Sequence, residues 1–175
     1  MPLQLPELTA AGASDAASDI FLHVQTKRAG KIKGESETEG HTDDIGVSGW
    51  GWGVDANTAI GSTASTARRS YRHLVVTKGI DSASTALLSA LVTNDEVREA
   101  TLAMRKAGGE ALDYFRMTLS GARIVAVDID VGADGRPVEK VSFAFTKIDI
   151  EYKRQQGSGL GTGAFSFNDE VMPAG

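Results

Sequence analysis

Hydrophobic and polar residues alternate along several stretches of the chain, a pattern typical of β-strands that bury one face. In the stretch DIFLHV, residues 19–24, the side chains of Ile20, Leu22 and Val24 share one side of an extended backbone. Later stretches rich in β-branched and aromatic residues are YRHLVVTK, ATLAM, YFRMTL, RIVAVDIDV and VSFAFTKIDIEY. The segments RKAGGEALD, SGA and GADGRP separate the later ones and favour turns. The pattern predicts roughly seven or eight strands, arranged as a β-barrel or sandwich.

One segment has helical periodicity instead. Apolar residues recur at positions i, i+3, i+4, i+7 and i+8, namely Ala83, Ala86, Leu87, Ala90 and Leu91. Asp81 or Ser82 can accept the free N–H groups at the start of a helix, and Asn94 follows the last periodic residues. The sequence therefore predicts a single α-helix over about residues 81–94.

The last predicted strand changes its buried side part-way along. Val141, Phe143 and Phe145 share one face, whereas Ile148, Ile150 and Tyr152 have the opposite parity. Either a bulge near residues 146–147 or a strand that passes from one packing surface to another would reconcile the two sets.

Three segments have no strand or helix periodicity. Residues 1–18 are rich in Ala, Ser, Thr and Pro and are predicted to form a flexible arm, and residues 157–175 a glycine-rich, mobile tail. Between them lies a β-rich core domain, residues 19–156. Within this core, residues 55–70 are small and polar, and loops of that length are usually functional or disordered.

Composition narrows the possible functions. The 175 residues fit one domain, and 18 basic against 23 acidic residues give a net charge of -5, which argues against nucleic acid or an anionic membrane as a partner. The chain has no cysteine, which excludes a thiol nucleophile, a zinc–thiolate site and a disulfide framework. Neither a secretory signal nor a membrane span is expected from the hydropathy pattern.

Two groups of residues suggest metal chemistry. Asp128, Asp130, Asp134 and Glu139 match part of a calcium-loop template, but alanine replaces the required glycine and the flanks are predicted strands, so a β-hairpin with Asp134-Gly135 in its turn fits better. His41 with Asp43 and Asp44 could bind a metal if folding supplied another ligand, which leaves a metal-dependent hydrolase as one alternative. No GxSxG elbow is present.

The two tryptophans of the chain lie close together in VSGWGWGVD, residues 47–55. In a strand, Trp50 and Trp52 would form an aromatic ridge on one face, while Gly49, Gly51 and Gly53 would leave the other face nearly bare. Because glycine weakens a strand unless something approaches closely, we expect another segment or another subunit against the glycine face. Exposed tryptophans could instead stack on a sugar or a base, which leaves a monomeric β-rich binding module as a second alternative.

Six motifs follow one another along residues 19–156: DIFLHV…KIKGES, IGVSGWGWG, LVVTKGID, LAMRKAGGE, YFRMTLSGARIVAV and VEKVSFAFTKIDIEYKRQ. Together with His41 they resemble the Hcp family, whose members form the tube of the bacterial type VI secretion system. The resemblance implies a mainly β fold, a small β-barrel of two packed sheets with one flanking α-helix, that assembles as a six-membered ring. It implies stacking of rings into a hollow tube, with no catalysis and no cofactor.

The resemblance also implies the partners and the location of the protein. The partners are further copies of the chain, a VgrG-type spike, contractile sheath proteins and effector proteins in the lumen. The protein would be made in the cytoplasm and secreted without a signal peptide through the type VI apparatus. We further expect the 55–70 loop to dock on the next ring. The residues expected at subunit or ring-stacking contacts are Gly49, Trp50, Gly51, Trp52, Gly53, Arg68, Arg69, Lys106, Gly108 and Gly109.

Overall fold

The computed structural model describes residues 18–63, 68–108, 111–154 and 163–171, which form twelve strands and one helix. The strands are β1 Ser18–Thr26, β2 Gly30–Ile32, β3 Ile45–Val47, β4 Gly49–Gly51, β5 Val54–Asn57, β6 Arg68–Tyr71, β7 Leu74–Lys78, β8 Val97–Lys106, β9 Asp113–Val131, β10 Pro137–Ala144, β11 Lys147–Tyr152 and β12 Phe165–Glu170, and the helix is α1 Ser84–Val92. No helix in these ranges is long and apolar enough to span a membrane.

Strand β9 joins two packed sheets because it is long enough to belong to both. Its first half pairs with β8 and β11, and its second half pairs with β10, which continues to β7 and β4. The predicted turn at SGA is wrong, since β9 continues through it. Gly121 takes a φ of +54° there, a conformation that favours glycine. The glycine therefore marks a bend inside a strand and not the end of one.

The change of parity in the last predicted strand has a similar origin. Residues 145–146 separate β10 from β11, and the two strands pair with different halves of β9. Val141 and Phe143 are buried on β10, and Ile148 is buried on β11. The passage of the chain from one packing surface to another is confirmed.

Helix α1 is shorter than predicted and lies against β9. It buries Leu87 and Ala90, as the periodicity predicts. The residue at the capping position is Ala83, which has no side-chain cap, so neither predicted residue occupies that position. Asp81 Oδ1 accepts a hydrogen bond from the Ala83 N–H, 2.9 Å away.

The mainly β fold of two packed sheets with one helix is confirmed. Its core is formed by side chains from both sheets and from α1, among them Leu22, Leu87, Leu119 and Phe143. The strand pairing does not close into a continuous barrel in the described ranges, because β12 pairs with β11 alone.

Two segments predicted to lack regular structure contain strands. Val54–Asn57 and Arg68–Tyr71 pair over four positions as a hairpin that includes both ends of the 55–70 segment. Phe165–Glu170 pairs with β11 over six positions, so the segment predicted as a mobile tail contributes a sheet strand. The arm before Ser18 lies outside the described residues.

Candidate assembly surface

Both tryptophans pack towards the core, as their shared parity predicts. The Trp50 ring stacks on Phe115 with centroids 5.5 Å apart, and its Nε1 lies 3.4 Å from Met104 Sδ. The Trp52 ring stacks on Tyr71 with centroids 6.2 Å apart. Because each indole already packs against another ring, the pair is poorly placed to stack on a sugar or a base.

The glycine face of the same segment is open. A Cβ placed on Gly49 or Gly51 would meet nothing within 4 Å. At Gly53 the situation differs, because a Cβ there would collide with the guanidinium group of Arg72. Within the described ranges, the expected close approach therefore occurs only at Gly53, and the outer face of β4 is free to receive another chain.

The hairpin β5–β6 is held by the C-terminal strand. The Tyr71 hydroxyl donates a hydrogen bond to Asp169 on β12, and Arg69 Nε lies 3.2 Å from the same carboxylate. The ring of Tyr71 also meets Phe145 edge-on, with centroids 6.0 Å apart. These contacts fix the direction in which the hairpin leaves the sheets.

The electrostatics of this contact follow from its geometry. The hydrogen bond from Tyr71 and the charge of Arg69 lower the pKa of Asp169, although burial opposes them. Burial and the neighbouring carboxylate raise the pKa of Tyr71, although Arg69 opposes them. At neutral pH the carboxylate is therefore ionised and the phenol protonated, the state in which the hydrogen bond forms.

Beyond this contact, the end of β11 and the start of β12 expose aromatic side chains. Tyr152, Phe165 and Phe167 are 43%, 55% and 46% exposed. They share one face, because Tyr152 pairs with Phe165, and Phe167 pairs with Ile150 two residues earlier on β11. We call these three side chains the aromatic ledge. Such a surface is typical of a protein–protein contact.

His41 belongs to a buried hydrogen-bond network. Its Nδ1 lies 2.9 Å from Asp44 Oδ2, its Nε2 lies 2.9 Å from Asp113 Oδ1, and its ring stacks on Phe21 with centroids 4.2 Å apart. Both ring nitrogens face carboxylates, so both donate when the imidazole is protonated. Arg105 Nε, 3.1 Å from Asp113 Oδ1, adds a cation to the network.

The carboxylates of this network are ionised. Burial raises the pKa of Asp44, but hydrogen bonds from His41, His23 and Lys31 outweigh it and hold the pKa below its ordinary value. Burial also raises the pKa of Asp113. Hydrogen bonds from His41, Arg116 and Arg105 and the charge of His41 outweigh this effect and hold the pKa below its ordinary value.

The geometry of His41 argues against the metal-dependent hydrolase. Both ring nitrogens of His41 are engaged by carboxylates, and Asp43 is exposed, with a φ of +62°. In the described parts of the chain, no group of three or more His, Asp or Glu residues could hold a metal. The hydrogen-bond network around His41 therefore joins the β2–β3 loop to the end of β8 and the start of β9.

The calcium template is a hairpin, as its composition favours. β9 and β10 pair up to Val131 and Pro137, and Gly135 takes a φ of +73° in the turn between them. Glu139 is fully buried, and its Oε2 lies 2.7 Å from Lys78 Nζ. The carboxylate predicted as a possible calcium ligand instead belongs to a buried ion pair.

The remaining predicted contact residues lie on two elements. Arg68 begins β6 and is exposed. Lys106 ends β8, and Gly108 follows it with a φ of +69°. Gly109 lies outside the described residues. The structure therefore brings Trp52 and Arg69 together through Tyr71, whereas Lys106 and Gly108 belong to the β8–β9 turn.

Sequence reasoning missed Asp169, Phe165 and Phe167. The alternation in FSFNDE, residues 165–170, places these three side chains on one face of a strand and could have revealed them. Six residues next to a glycine-rich segment form a weak signal, and the partner strand β11 is what makes them a strand.

Comparison with known proteins decides the family. A family model described as "Type VI secretion system effector, Hcp" matches residues 21–152. This chain belongs to the Hcp family. Protein hcp1 of Pseudomonas aeruginosa is 28% identical to this Hcp chain over 151 residues, which are 84% of this chain and 90% of that protein.

Solved structures agree with the Hcp fold. A type VI secretion system effector from Yersinia pestis superposes with a TM-score of 0.70 at 27% identity, covering 87% of this chain and 100% of that one. Hcp1 from Salmonella typhimurium also gives a TM-score of 0.70, at 26% identity over 88% of this chain and 95% of that one. The chain is thus a secreted Hcp protein of a type VI secretion system.

Proposed function

We propose that this Hcp protein forms six-membered rings that stack into a hollow tube, which is expelled with a VgrG-type spike by a contractile sheath and carries effector proteins in its lumen. The single observation that supports assembly most directly is the amount of apolar surface left uncovered on one chain. The aromatic ledge and the open face of Gly49 and Gly51 are both available to further copies. A head-to-tail contact that closes makes a ring, and repeated contacts between rings make a filament.

The role we propose is structural and not catalytic. The acidic and basic side chains that are most buried are used in hydrogen bonds and ion pairs within the fold, as in the His41–Asp113 and Lys78–Glu139 contacts. We also propose that the protein leaves the cell through the type VI apparatus itself and without a signal peptide.

The hairpin β5–β6 is the part proposed to reach the next ring. Every residue of β5 is exposed, and Ile60 beyond it is fully exposed. An isolated two-stranded hairpin is at best marginally stable in water. The contacts of Tyr71 stabilise this hairpin, and a partner that covers its exposed surface would stabilise it further. A contact with a neighbouring ring would supply that cover.

Removal of the loop tests this role. In the variant, residues 58–67 are replaced by Asn-Gly, a two-residue turn that keeps the pairing of Asn57 with Arg68. Native mass spectrometry and negative-stain electron microscopy measure rings and stacks of the variant beside the unaltered chain. We expect rings to persist and stacks to shorten or disappear.

The control is Ile60→Ser with the loop otherwise intact, which separates loss of one apolar side chain from loss of the whole segment. Stacks of unchanged length in the deletion variant would refute the docking role of the loop. An unaltered chain that remains monomeric at every concentration would refute the ring.

A further inference from the structure

The aromatic ledge continues the buried face of β11 beyond the edge of the core. Ile148 on β11 is 1% exposed, Ile150 is half-buried, and the three ledge side chains that follow on the same face are about half exposed. Apolar character therefore extends along this face further than the fold covers it. In the described ranges no further layer of the fold covers this face, and a second chain could supply one.

The exposed area of the ledge is large for one chain. An aromatic side chain buries about 150–250 Å² when it is covered completely. At the exposures of Tyr152, Phe165 and Phe167, roughly 300 Å² of aromatic surface stays in water. Stable interfaces bury about 800 Å² on each partner, so the ledge would form the apolar centre of such an interface. The edge of β12 that is unpaired in the described ranges, and the neighbouring charged side chains, would supply its rim.

A charged group lies on the ledge itself. The guanidinium carbon of Arg154 lies 5.4 Å above the centre of the Phe165 ring. Arg154 is exposed and makes no ion pair within the described ranges. A partner that binds this surface therefore needs an open surface that can receive the aromatic rings, with an acidic group beside it.

Another surface of the same chain combines an open cleft with acidic side chains. An open cleft of about 370 Å³ is lined by Gly46, Gly79 and Ile80, with Glu35 and Glu37 at its side. A Cβ on Gly46 or Gly79 would meet nothing within 4 Å, and Ile80 is 53% exposed, so the floor is bare and partly apolar. Glu35 and Glu37 are exposed and make no ion pair in the described parts of the chain. We call this surface the acidic cleft.

We propose that the aromatic ledge of one copy binds the acidic cleft of a second copy, with Arg154 beside Glu35 and Glu37, and that this contact closes the ring. The inference rests on the proposed ring and names the surfaces that form it. The two surfaces are different and lie on one chain, so the contact is head-to-tail, the kind that generates rings. The opposite charges of Arg154 and of Glu35 and Glu37, carried by the same chain, favour a second copy as the occupant.

Removal of the ledge is the first test. Phe165→Thr combined with Phe167→Thr retains residues that favour strands and deletes both exposed rings. In native mass spectrometry, we expect the main species to shift from about six times 18.4 kDa to 18.4 kDa, with an unchanged circular dichroism spectrum. The matched control is Val92→Ser, which removes an exposed aliphatic side chain from α1 and should leave the ring intact.

A charge exchange is the second test, and it does not depend on deleting apolar surface. Arg154→Glu alone, and Glu35→Arg with Glu37→Arg, should each raise the concentration at which half of the chains are in rings by about tenfold or more. The combined variant restores opposite charges across the contact, and we expect its midpoint to return towards that of the unaltered chain.

The outcomes separate this interface from the ring itself. Rings in the unaltered chain, their loss in the ledge variant and recovery by the charge exchange would support the proposal. Rings that survive loss of the ledge, or a combined charge variant no better than its parents, would overturn the interface while leaving the ring in place. A chain that never forms rings would overturn both.

Discussion

The buried ion pair between Lys78 and Glu139 allows a sharp test of what holds β7, β10 and the start of α1 together. Both side chains are fully buried, with Nζ 2.7 Å from Glu139 Oε2, 2.9 Å from Asp81 Oδ1 and 3.1 Å from Ser84 Oγ. In Lys78→Met, the carboxylate of Glu139 loses its cation but remains buried. Removal of one partner of a buried pair typically costs about 3–5 kcal/mol, so we expect the free energy of unfolding to fall by that amount.

The double variant Lys78→Met with Glu139→Leu should behave differently. Glu139 Oε1 is already buried and has no hydrogen-bond partner among the described residues, so the carboxylate is incompletely satisfied even in the native chain. Replacing both members of a buried pair by apolar residues of similar size is often neutral or stabilising. We therefore expect the double variant to recover most of the loss, to within about 1–2 kcal/mol of the native chain.

Unfolding in guanidinium chloride, followed by circular dichroism, measures both variants. An unchanged slope with a lower midpoint would show that stability has changed and that the extent of unfolding has not. Because the proposed assembly would add stability by mass action, the titrations should be repeated at tenfold lower protein concentration. Lys140→Met, on an exposed neighbour of Glu139, is the control. A loss below about 1 kcal/mol in Lys78→Met, or no recovery in the double variant, would refute the reasoning.

Other contacts lead to further predictions. Gly121→Ala forces an L-residue to a φ of +54° and directs its Cβ at Thr146 Oγ1, so we expect a loss of about 1–3 kcal/mol, seen as a lower melting temperature. Asp113 has a lowered pKa, so its ionised form stabilises the fold above the ordinary value of 3.8, and this contribution disappears as the pH falls below it. Asp113→Asn should therefore melt lower than the native chain at pH 7, and the difference should shrink towards pH 3. Tyr71→Phe deletes the hydroxyl that bonds Asp169, and amide exchange in β5 and β6 should become faster while β7 is unchanged.

Each of these predictions can fail in a specific way. An unaltered melting temperature in Gly121→Ala would mean that the bend can relax around a methyl group. A constant difference between Asp113→Asn and the native chain from pH 7 to pH 3 would contradict the linkage argument. Equal acceleration of exchange in the hairpin and in β7 would mean that the loss of the Tyr71 hydroxyl destabilises the whole fold and not the hairpin alone.

Alternation along the sequence predicts the strands that bury one face in the core. Ile20, Leu22 and Val24 pack inwards or towards the core, and the opposite parities of Phe143 and Ile148 are explained by the corner between β10 and β11. Local turn residues are less informative, because Gly121 bends a strand whereas Gly135 lies in a turn between two strands. The difference depends on strand pairing across the sheet, which a local pattern does not contain.

The missed parts of the assembly surface are those stabilised by long-range contacts. β12 owes its order to pairing with β11, and the hairpin β5–β6 is joined to it by Tyr71 and Asp169, residues 98 positions apart. The candidate contact glycines were easier to find, because glycines that flank two tryptophans leave a bare strand face in any register. The prediction that this face meets another chain remains a prediction.

Strand β12 and the hairpin β5–β6, the two elements missed by the sequence pattern, contact each other through Tyr71, Arg69 and Asp169. A sheet edge with unpaired backbone and exposed aromatic side chains promotes association, and proteins normally shorten, charge or cover such edges. Here β12 is exposed along five of its six residues and bears two of the three ledge side chains. An edge of this kind is consistent with a protein that exists mainly in assembled form, where the neighbouring copy supplies the cover. The strand that contacts the hairpin through Asp169 also carries two of the ledge side chains. On the proposed function, ring closure would therefore restrict the motion of the hairpin that is proposed to reach the next ring.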